Sequence, residues 1–586
     1  MKGRVALFFP YVCALLVIAT LVWRNWDTSF AVHKDPVCNM EVGENLVGYW
    51  QGKSHFFCTE HCRELFQKDP GTYLVLAGTT PGTHIMLGLP NWLYYGSVGL
   101  ILVLSFGIFE KKRYNTSASG TRFDLLQFRG LRQLIIHPFT RFGVQAFAAG
   151  LFVLIIAAGL FGNQLSTKNI APLVTWTIWW GGLILLILYA GKAWCYVCPW
   201  DAIAGWAEGL RFWGRKGEGL SLGIRWPKFM RNVWPATLFF VGLTWIEIGF
   251  GVTMKPRMTA WLALGMLAMA FVSAFIFDRK SFCRYGCLVG RVSGLYAMFS
   301  PIEVRARDKD VCRSCETHSC YKGNDQGDPC PTFQYLGTMD RSTYCISCME
   351  CVKSCELENV ALNLRPWGED LSQTFRPRND EAYLALVLLS LTGFHGLTMT
   401  GLWQEMLDLI QLTLSVGETF AFTIGMFGLM VAPVVAYAGL VGISWLGGGS
   451  QSVAYRDYFI RYAYALLPIA LFYHLAHNSE HLLMEGQKVV ALLSDPFGWS
   501  WDLFGTATWT LPPLIDLPTL WAVQVFLVVI GHIYSLWIAR HTALAFFSDS
   551  KAALRSQLPM LVAMILFSTI SLWLLKQPME MRTSAM

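Results

Sequence analysis

Charged residues are scarce in this chain of 586 residues: only 15% are Asp, Glu, Lys or Arg, against 54% hydrophobic residues. So low a charge content excludes a string of soluble domains and is typical of a polytopic membrane protein. The glycine-rich stretch "WLGGGSQ" is not a phosphate-binding loop, because no Gly-Lys-Ser/Thr follows it. The net charge of +7 gives no reason to expect a nucleic-acid partner, since basic loops between membrane helices account for it.

Apolar runs of about 20 residues are long enough to cross the hydrocarbon core of a bilayer as helices. The chain has eleven such runs, at 5–23, 87–109, 143–162, 171–190, 233–253, 259–278, 383–404, 418–443, 458–477, 518–538 and 559–576. The first run has a secretory signal peptide as its alternative, but no small-x-small cleavage site clearly follows it. Trp23, Arg24 and Trp26 instead favour an uncleaved anchor. The expected fold class is mainly α, with about eleven transmembrane helices.

Lys and Arg are concentrated in alternate loops, which predicts the orientation of the helices. The basic segments 110–141, 211–231, 279–380 and 539–555 are expected in the cytoplasm of a bacterium, with the helices in its inner membrane. Segments 24–86, 163–170, 254–258, 405–417 and 478–517 are then periplasmic, with Lys255 and Arg257 as the exceptions to the charge rule.

Of the 16 cysteines, only Cys13 has the setting of an ordinary buried residue, and eight of the others lie in segment 301–380. The stretch "YCISCMECVKSC" has the C-x2-C-x2-C-x3-C spacing of a bacterial ferredoxin, in which the fourth cysteine binds the other cluster. This predicts two [4Fe–4S] clusters, one held by Cys312, Cys315, Cys320 and Cys355, the other by Cys345, Cys348, Cys351 and Cys330. Zinc sites or disulfides are the alternatives; three cysteines at successive two-residue gaps disfavour zinc, and a reducing cytoplasm disfavours disulfides.

Two further cysteine pairs lie where apolar runs end. They are Cys195 and Cys198 in "AWCYVCPWDA", and Cys283 and Cys287 in "SFCRYGCLVG". Segment 130–375 resembles the NapH/NosR family of membrane-bound ferredoxins, which carry two C-x3-C-P motifs at helix ends before a two-cluster ferredoxin. This chain departs from that pattern, with C-x2-C-P at Pro199 and with Leu288 after the second pair. The resemblance implies a metal or redox role for these cysteines, with thiol exchange or helix-end packing as alternatives.

Residues 33–74 resemble a YHS domain, a relative of the TRASH metal-binding modules, and the flavin-attachment sequence S-G-A-T of NosR proteins is absent. The resemblance rests on Cys38, on the pair Cys58 and Cys62, and on the alternating stretch "YWQGKSHFFC" before a short helix beginning near Thr59. Three thiolates suit a soft metal such as Cu(I) or Zn(II). The alternatives are a disulfide between Cys58 and Cys62, or a fold that persists without metal.

Histidines are concentrated in the last five apolar runs, where ionisable residues tend to mark function. They are His395, His474, His477, His481, His532 and His541. If the ninth helix continues past Ala476, its three histidines lie on one face. Three uses remain open: ligation of haem b by His395 or His474 together with His532, a quinone or proton site that includes Glu480, and hydrogen bonding between helices.

The sequence thus predicts an anchor helix (1–30), a small periplasmic α+β YHS domain (31–80), a NapH/NosR-like membrane domain (85–300), an inserted ferredoxin-like domain (301–380) and a histidine-containing membrane domain (381–586). The expected function is electron transfer between the clusters, quinone or a haem, and a periplasmic metal or redox partner, with a cytoplasmic donor as the alternative to quinone. Two other functions remain: maturation of a periplasmic metalloenzyme, and heavy-metal (copper) resistance or transport.

Overall fold

The computed structural model describes most of the chain. It covers residues 33–37, 41–42, 46–50, 53–57, 59–68, 70, 85–86, 88–110, 121–209, 220–373, 376–447, 453–547, 550–577 and 579–580. The fold is mainly helical, as the low charge and the long apolar runs predict.

Eight helical segments of the described residues are long and apolar enough to span a membrane. They are Pro138–Phe161, Ile170–Ala190, Pro256–Ile276, Asn379–Thr398, Glu418–Gly447, Tyr455–Ser494, Leu517–Phe546 and Lys551–Lys576. Each coincides with one of the eleven predicted runs. Two further runs coincide with the helices Asn91–Glu110 and Trp234–Gly249, the second of which has only 16 residues. The first run, 5–23, lies outside the described residues.

Shorter helices connect these segments or lie beside them. They are Glu60–Lys68, Arg129–Ile136, Ala193–Val197, Pro199–Gly209, Ser281–Tyr285, Leu288–Tyr296, Lys309–Arg313, Ser319–Lys322, Glu350–Ser354, Glu369–Ser372 and Gly401–Leu414. The helix Gly401–Leu414 occupies a segment predicted as a periplasmic connection. Its first turns are amphipathic, because Trp403 and Leu407 are buried whereas Gln404, Glu405 and Asp408 are exposed.

The ferredoxin-like segment has its own small core around an antiparallel sheet. Strand Ile302–Ala306 pairs with Val360–Leu364, which also pairs with Phe123–Asp124. Val304, Val360 and Leu362 are buried in this core. The cysteines lie on the loops and short helices between the two long strands, so the sheet brings the beginning and the end of the segment together.

A buried ion-pair network stabilises this domain, and a close backbone contact attaches it to the membrane helices. Arg365 pairs with Asp370 and, at 2.8 Å, with Glu303. Burial alone would raise the pKa of Asp370, but Arg365 and Arg305 outweigh it and lower that pKa to about 2. Gly294 lies so close to the domain that a Cβ atom there would stand 2.3 Å from the carbonyl oxygen of Thr343. The domain is therefore packed directly on helix Leu288–Tyr296.

The described part of the YHS-like segment has the predicted order of a hairpin and a short helix. Strands Val47–Trp50 and Lys53–Phe56 pair antiparallel, and helix Glu60–Lys68 follows. Strand His33–Lys34 pairs with Glu41–Val42. Outside this segment, strand Ile85–Met86 pairs with Met579–Glu580. Phe57, Cys62 and Phe66 form a small core.

Candidate functional site

The first cysteine set consists of Cys312, Cys315, Cys320 and Cys355, and all four line one small cavity. Cys312 and Cys320 each lie within electrostatic reach of Cys355, that is, close enough for a charge on one thiol to shift the pKa of the other. The last cysteine of the second run therefore reaches the first run, which is the crossing expected of two-cluster ferredoxins.

The second cysteine set consists of Cys330, Cys345, Cys348 and Cys351. Cys330 lies within electrostatic reach of each of the other three, so the crossing is reciprocal. Ser347 and Met349, between the cysteines, have positive φ angles of 52° and 62°, and these left-handed residues turn the loop around the thiols. Cys351 also lies within reach of Cys320 of the first set, so the two sets are neighbours.

Amide groups surround the thiols as hydrogen-bond donors. The backbone N–H of Gln334 donates to Cys330 Sγ at 3.2 Å, and those of Ser347 and Asn359 donate to Cys345 Sγ and Cys355 Sγ at 3.4 Å. Burial raises the pKa of Cys320 to about 11 and that of Cys348 to about 12. These thiols stay protonated at neutral pH without a metal, and the amide donors favour the thiolate that metal binding produces.

The chemistry of the two sets fits iron–sulfur clusters. Each set offers four thiols, and an iron–sulfur cluster distributes four thiolates over several iron atoms. Among the described residues, no three His, Cys, Asp or Glu side chains are placed to hold a single metal ion.

The third cysteine set consists of Cys195, Cys198, Cys283 and Cys287. These cysteines form two pairs that are far apart in the sequence. Cys198 stands between helices Ala193–Val197 and Pro199–Gly209, because the proline disfavours helical backbone at the residue before it. Cys287 caps helix Leu288–Tyr296, where its Sγ accepts from the N–H of Gly290 at 3.3 Å. Both pairs thus lie at a break between two helices.

The structure brings these two pairs together at one end of the membrane helices. Cys198 and Cys283 each lie within electrostatic reach of both Cys195 and Cys287. Burial raises the pKa of Cys287 to about 11. A cavity of about 540 Å³ is lined by Cys198, Cys283 and Cys287 together with Cys348, so the second and third sets share one space.

Four of the six predicted histidines lie close together among the membrane helices. Helix Leu467–Glu485 continues well past Ala476 and carries His474, His477 and His481, all buried. The ring of His477 lies 5.2 Å from that of His395 and 5.3 Å from that of His481. We call His395, His474, His477 and His481 the histidine column.

The histidine column is connected to the third cysteine set by one helix. Tyr296, the last residue of helix Leu288–Tyr296, has its hydroxyl 3.4 Å from Nδ1 of His474. That helix begins directly after Cys287 and extends over about 13 Å, at 1.5 Å per residue.

Comparisons with known proteins support the YHS and ferredoxin resemblances. Residues 33–77 match the family model of the YHS domain. The chain is also similar to the "Methylamine utilization ferredoxin-type protein MauN" of Paracoccus denitrificans (strain Pd 1222), with 28% identity over 142 residues. The two matches bear out the resemblance of residues 33–77 to a YHS domain and the similarity of the chain to a ferredoxin-type protein. The similarity covers 22% of this chain and 48% of the relative, so the chain spans about half the length of the curated relative it matches. No solved structure matches the chain.

Within the YHS domain, the structure describes one of the three predicted metal ligands. Cys62 is buried on helix Glu60–Lys68. Cys38 and Cys58 lie outside the described residues. Metal binding by this domain therefore stays a prediction from the sequence.

Two predicted histidines are separate from the histidine column in their hydrogen bonding. His532 has Ser105 Oγ 2.7 Å from Nε2 and Ser568 Oγ 2.9 Å from Nδ1, so both ring nitrogens are engaged. His541 Nδ1 lies 2.9 Å from the carbonyl oxygen of Trp537. The interactions of His532 were not evident from the sequence, because its serine partners belong to distant helices.

Glu247 is a site residue that sequence reasoning missed. It is buried on helix Trp234–Gly249 and lines a pocket with His395, His474 and His477. It also lines an apolar cavity of about 350 Å³ whose walls include Trp179. The sequence does mark Glu247, because it is a single carboxylate in the apolar stretch "LTWIEIGF" and ionisable residues are costly inside a membrane helix.

Proposed function

We propose that this chain is a membrane-bound iron–sulfur protein that transfers electrons between a two-cluster ferredoxin domain and a quinone bound among the membrane helices. The observation that carries the proposal is the reciprocal assembly of the first and second cysteine sets on a domain packed against those helices. When bound, [4Fe–4S] clusters exchange one electron at a time. In this proposal the ferredoxin domain faces the cytoplasm of a bacterial inner membrane and the YHS domain faces the periplasm.

The apolar cavity is the candidate quinone site. Its volume of about 350 Å³ lies within the usual range of small-molecule sites, whereas the pocket among the histidines is only about 30 Å³. Phe147 lines the cavity and is 77% exposed on the outside of the helix bundle, which suits a ligand that enters from lipid. Leu288 and Val289, directly after Cys287, form part of the inner wall.

The residues of the cavity suit the proton chemistry of a quinol. Oxidation of a quinol to a quinone releases two electrons and two protons. Glu247 stands where the cavity adjoins the histidine column and can take up a proton from a quinol hydroxyl. His474 lies in the same pocket as Glu247 and within reach of Tyr296. Haem ligation is less well supported, because the nitrogens of His532 are engaged by two serines.

Reduction by a quinol analogue tests the proposed function. The full-length protein, purified anaerobically in detergent, should contain about eight or more iron atoms per chain and show the spectrum of reduced clusters after addition of a quinol analogue or dithionite. A preparation with neither iron nor inorganic sulfide would contradict the proposal. Maturation of a periplasmic metalloenzyme is compatible with the same electron transfer and differs in its final acceptor.

The YHS match favours metal handling as a second candidate function. The full-length protein is expected to carry about one Cu(I) or Zn(II) beyond its iron, because three thiolates bind soft metals. The double variant Cys58→Ser/Cys62→Ser should lose that metal and keep all cluster iron, while Cys13→Ser serves as the matched control. Equal soft-metal content in all three proteins would contradict the assignment. Metal flux in vesicles without redox coupling would favour transport over electron transfer.

Reporter fusions test the proposed orientation. Fusions near Ser117, Lys216 and Ser550 should report cytoplasm, and fusions near Gly71 and Asp495 should report periplasm, because Lys and Arg are enriched in cytoplasmic loops. If positions 71 and 216 were on the same side, the arrangement of eleven helices would be wrong.

A further inference from the structure

The third cysteine set has the features of a site that holds an anionic centre. Its four residues come from two sequence-distant helix breaks, they are within reach of one another, and all are free thiols. Packing alone gives no reason for four thiols to meet at one point. The shared cavity places them beside Cys348 of the second set.

Two buried cations lie next to these thiols, and neither makes a hydrogen bond to a carboxylate among the described residues. Lys192 is 3% exposed and its Nζ donates to the carbonyl oxygens of Gly290 and Thr343, at 2.9 and 3.4 Å. Arg291 is 1% exposed, and none of its guanidinium nitrogens has a hydrogen-bond partner within the described part of the chain. The centroid of the Tyr344 ring lies 4.6 Å from its Cζ. A buried charge with no ionic partner in hydrogen-bond contact is destabilising.

Both cations are placed to compensate a negative charge at the third set. Lys192 lies within electrostatic reach of Cys195, Cys287 and also Cys345 of the second set. Arg291 lies within reach of Cys195 and Cys287, and also of Glu381, which already pairs with Arg341. Asp201 does not fill this role, because it already pairs with Lys280. Four thiolates around a dicationic metal core carry a net double negative charge, which two cations balance.

We propose that the third cysteine set holds a third iron–sulfur cluster, with Lys192 and Arg291 as its buried counter-charges. The proposal rests on the proposed function and deepens it, since this cluster accepts an electron from one neighbour and passes it to the next. It lies between Cys348 of the second set and helix Leu288–Tyr296, whose far end touches the histidine column.

Metal content and spectroscopy of the full-length protein test the third cluster. An anaerobic preparation should contain about ten to twelve iron atoms per chain, against about eight for two [4Fe–4S] clusters. Cys283→Ser should lower iron by about two to four atoms and keep both ferredoxin signals. Cys62→Ser is the matched control and should keep all the iron. Eight irons in the unaltered protein, with or without one zinc, would overturn the proposal, as would full iron in Cys283→Ser.

A substitution of Arg291 tests the proposal without removing a cysteine ligand. Arg291→Gln removes a positive charge next to the cluster, so the extra electron is less stabilised and the midpoint potential of the third signal should fall. Arg291→Lys keeps the charge and should restore most of that potential. An unchanged potential in Arg291→Gln would overturn the counter-charge assignment. Absence of both ferredoxin signals from the unaltered protein would instead refute the proposed function. Failure of the third-cluster proposal and failure of the proposed function are therefore distinguishable.

Discussion

Cys348→Ser is expected to remove one of the two ferredoxin cluster signals and about four iron atoms per chain, because each thiolate binds one iron of a [4Fe–4S] cluster. The serine hydroxyl is a far weaker ligand at neutral pH than a cysteine thiolate. Electron transfer from a quinol analogue to the remaining ferredoxin cluster should be abolished, since Cys348 lines the cavity between the third set and the ferredoxin domain.

Electron paramagnetic resonance of the dithionite-reduced protein, together with iron and sulfide analysis, checks this result. Cys348→Ala is the companion variant, because it has no oxygen that can replace the sulfur ligand. Cys62→Ser, in the YHS domain, is the control and should leave both signals in place. Unchanged iron and an unchanged spectrum in Cys348→Ala would refute the ligand assignment of the second set.

The cysteine spacing alone predicts the grouping of the first and second sets. The reason is that a short loop with three cysteines at two-residue gaps has few ways to present its thiols, and the spacing of ferredoxins assigns the fourth ligand to the other run. The grouping of the third set was not predictable, because two membrane helices separate Cys195 from Cys287 in the sequence. Only the packing of those helices brings them together.

Apolar runs predicted most helices but not their exact extents. The helix with Glu247 ends at Gly249, two residues after the glutamate, whereas the apolar run suggested 253 as its end. Gly251 has a left-handed φ of 59°, which begins a new turn that hydropathy does not report. Burial of Arg291 was likewise hidden, because a single arginine in a basic segment gives no sign that its charge lies inside the protein.

The same packing connects the ferredoxin domain with the histidine column, as the proposed electron transfer requires. Helix Leu288–Tyr296 contacts Thr343 of the domain through Gly294, carries Arg291, and ends at Tyr296 beside His474. All nine of its residues are buried, so it is an internal connection and not a surface element. Its position gives the proposed clusters and the quinone cavity a common wall.

Glu247→Gln is therefore expected to slow reduction of the clusters by a quinol analogue by about 10²-fold, which is the usual contribution of a positioned general base. The amide keeps the shape of the side chain but cannot take up a proton from the quinol hydroxyl. Dithionite should reduce the clusters at the normal rate and to the normal extent, because it bypasses the cavity.

The matched control is Glu405→Gln, at an exposed glutamate, and this variant should behave as the unaltered protein. Rapid-mixing absorbance at the cluster bands measures both rates. Equal quinol-driven rates in the two variants would exclude Glu247 as the proton acceptor, whereas slowing with dithionite as well would show that the substitution acts on the clusters and not on the cavity.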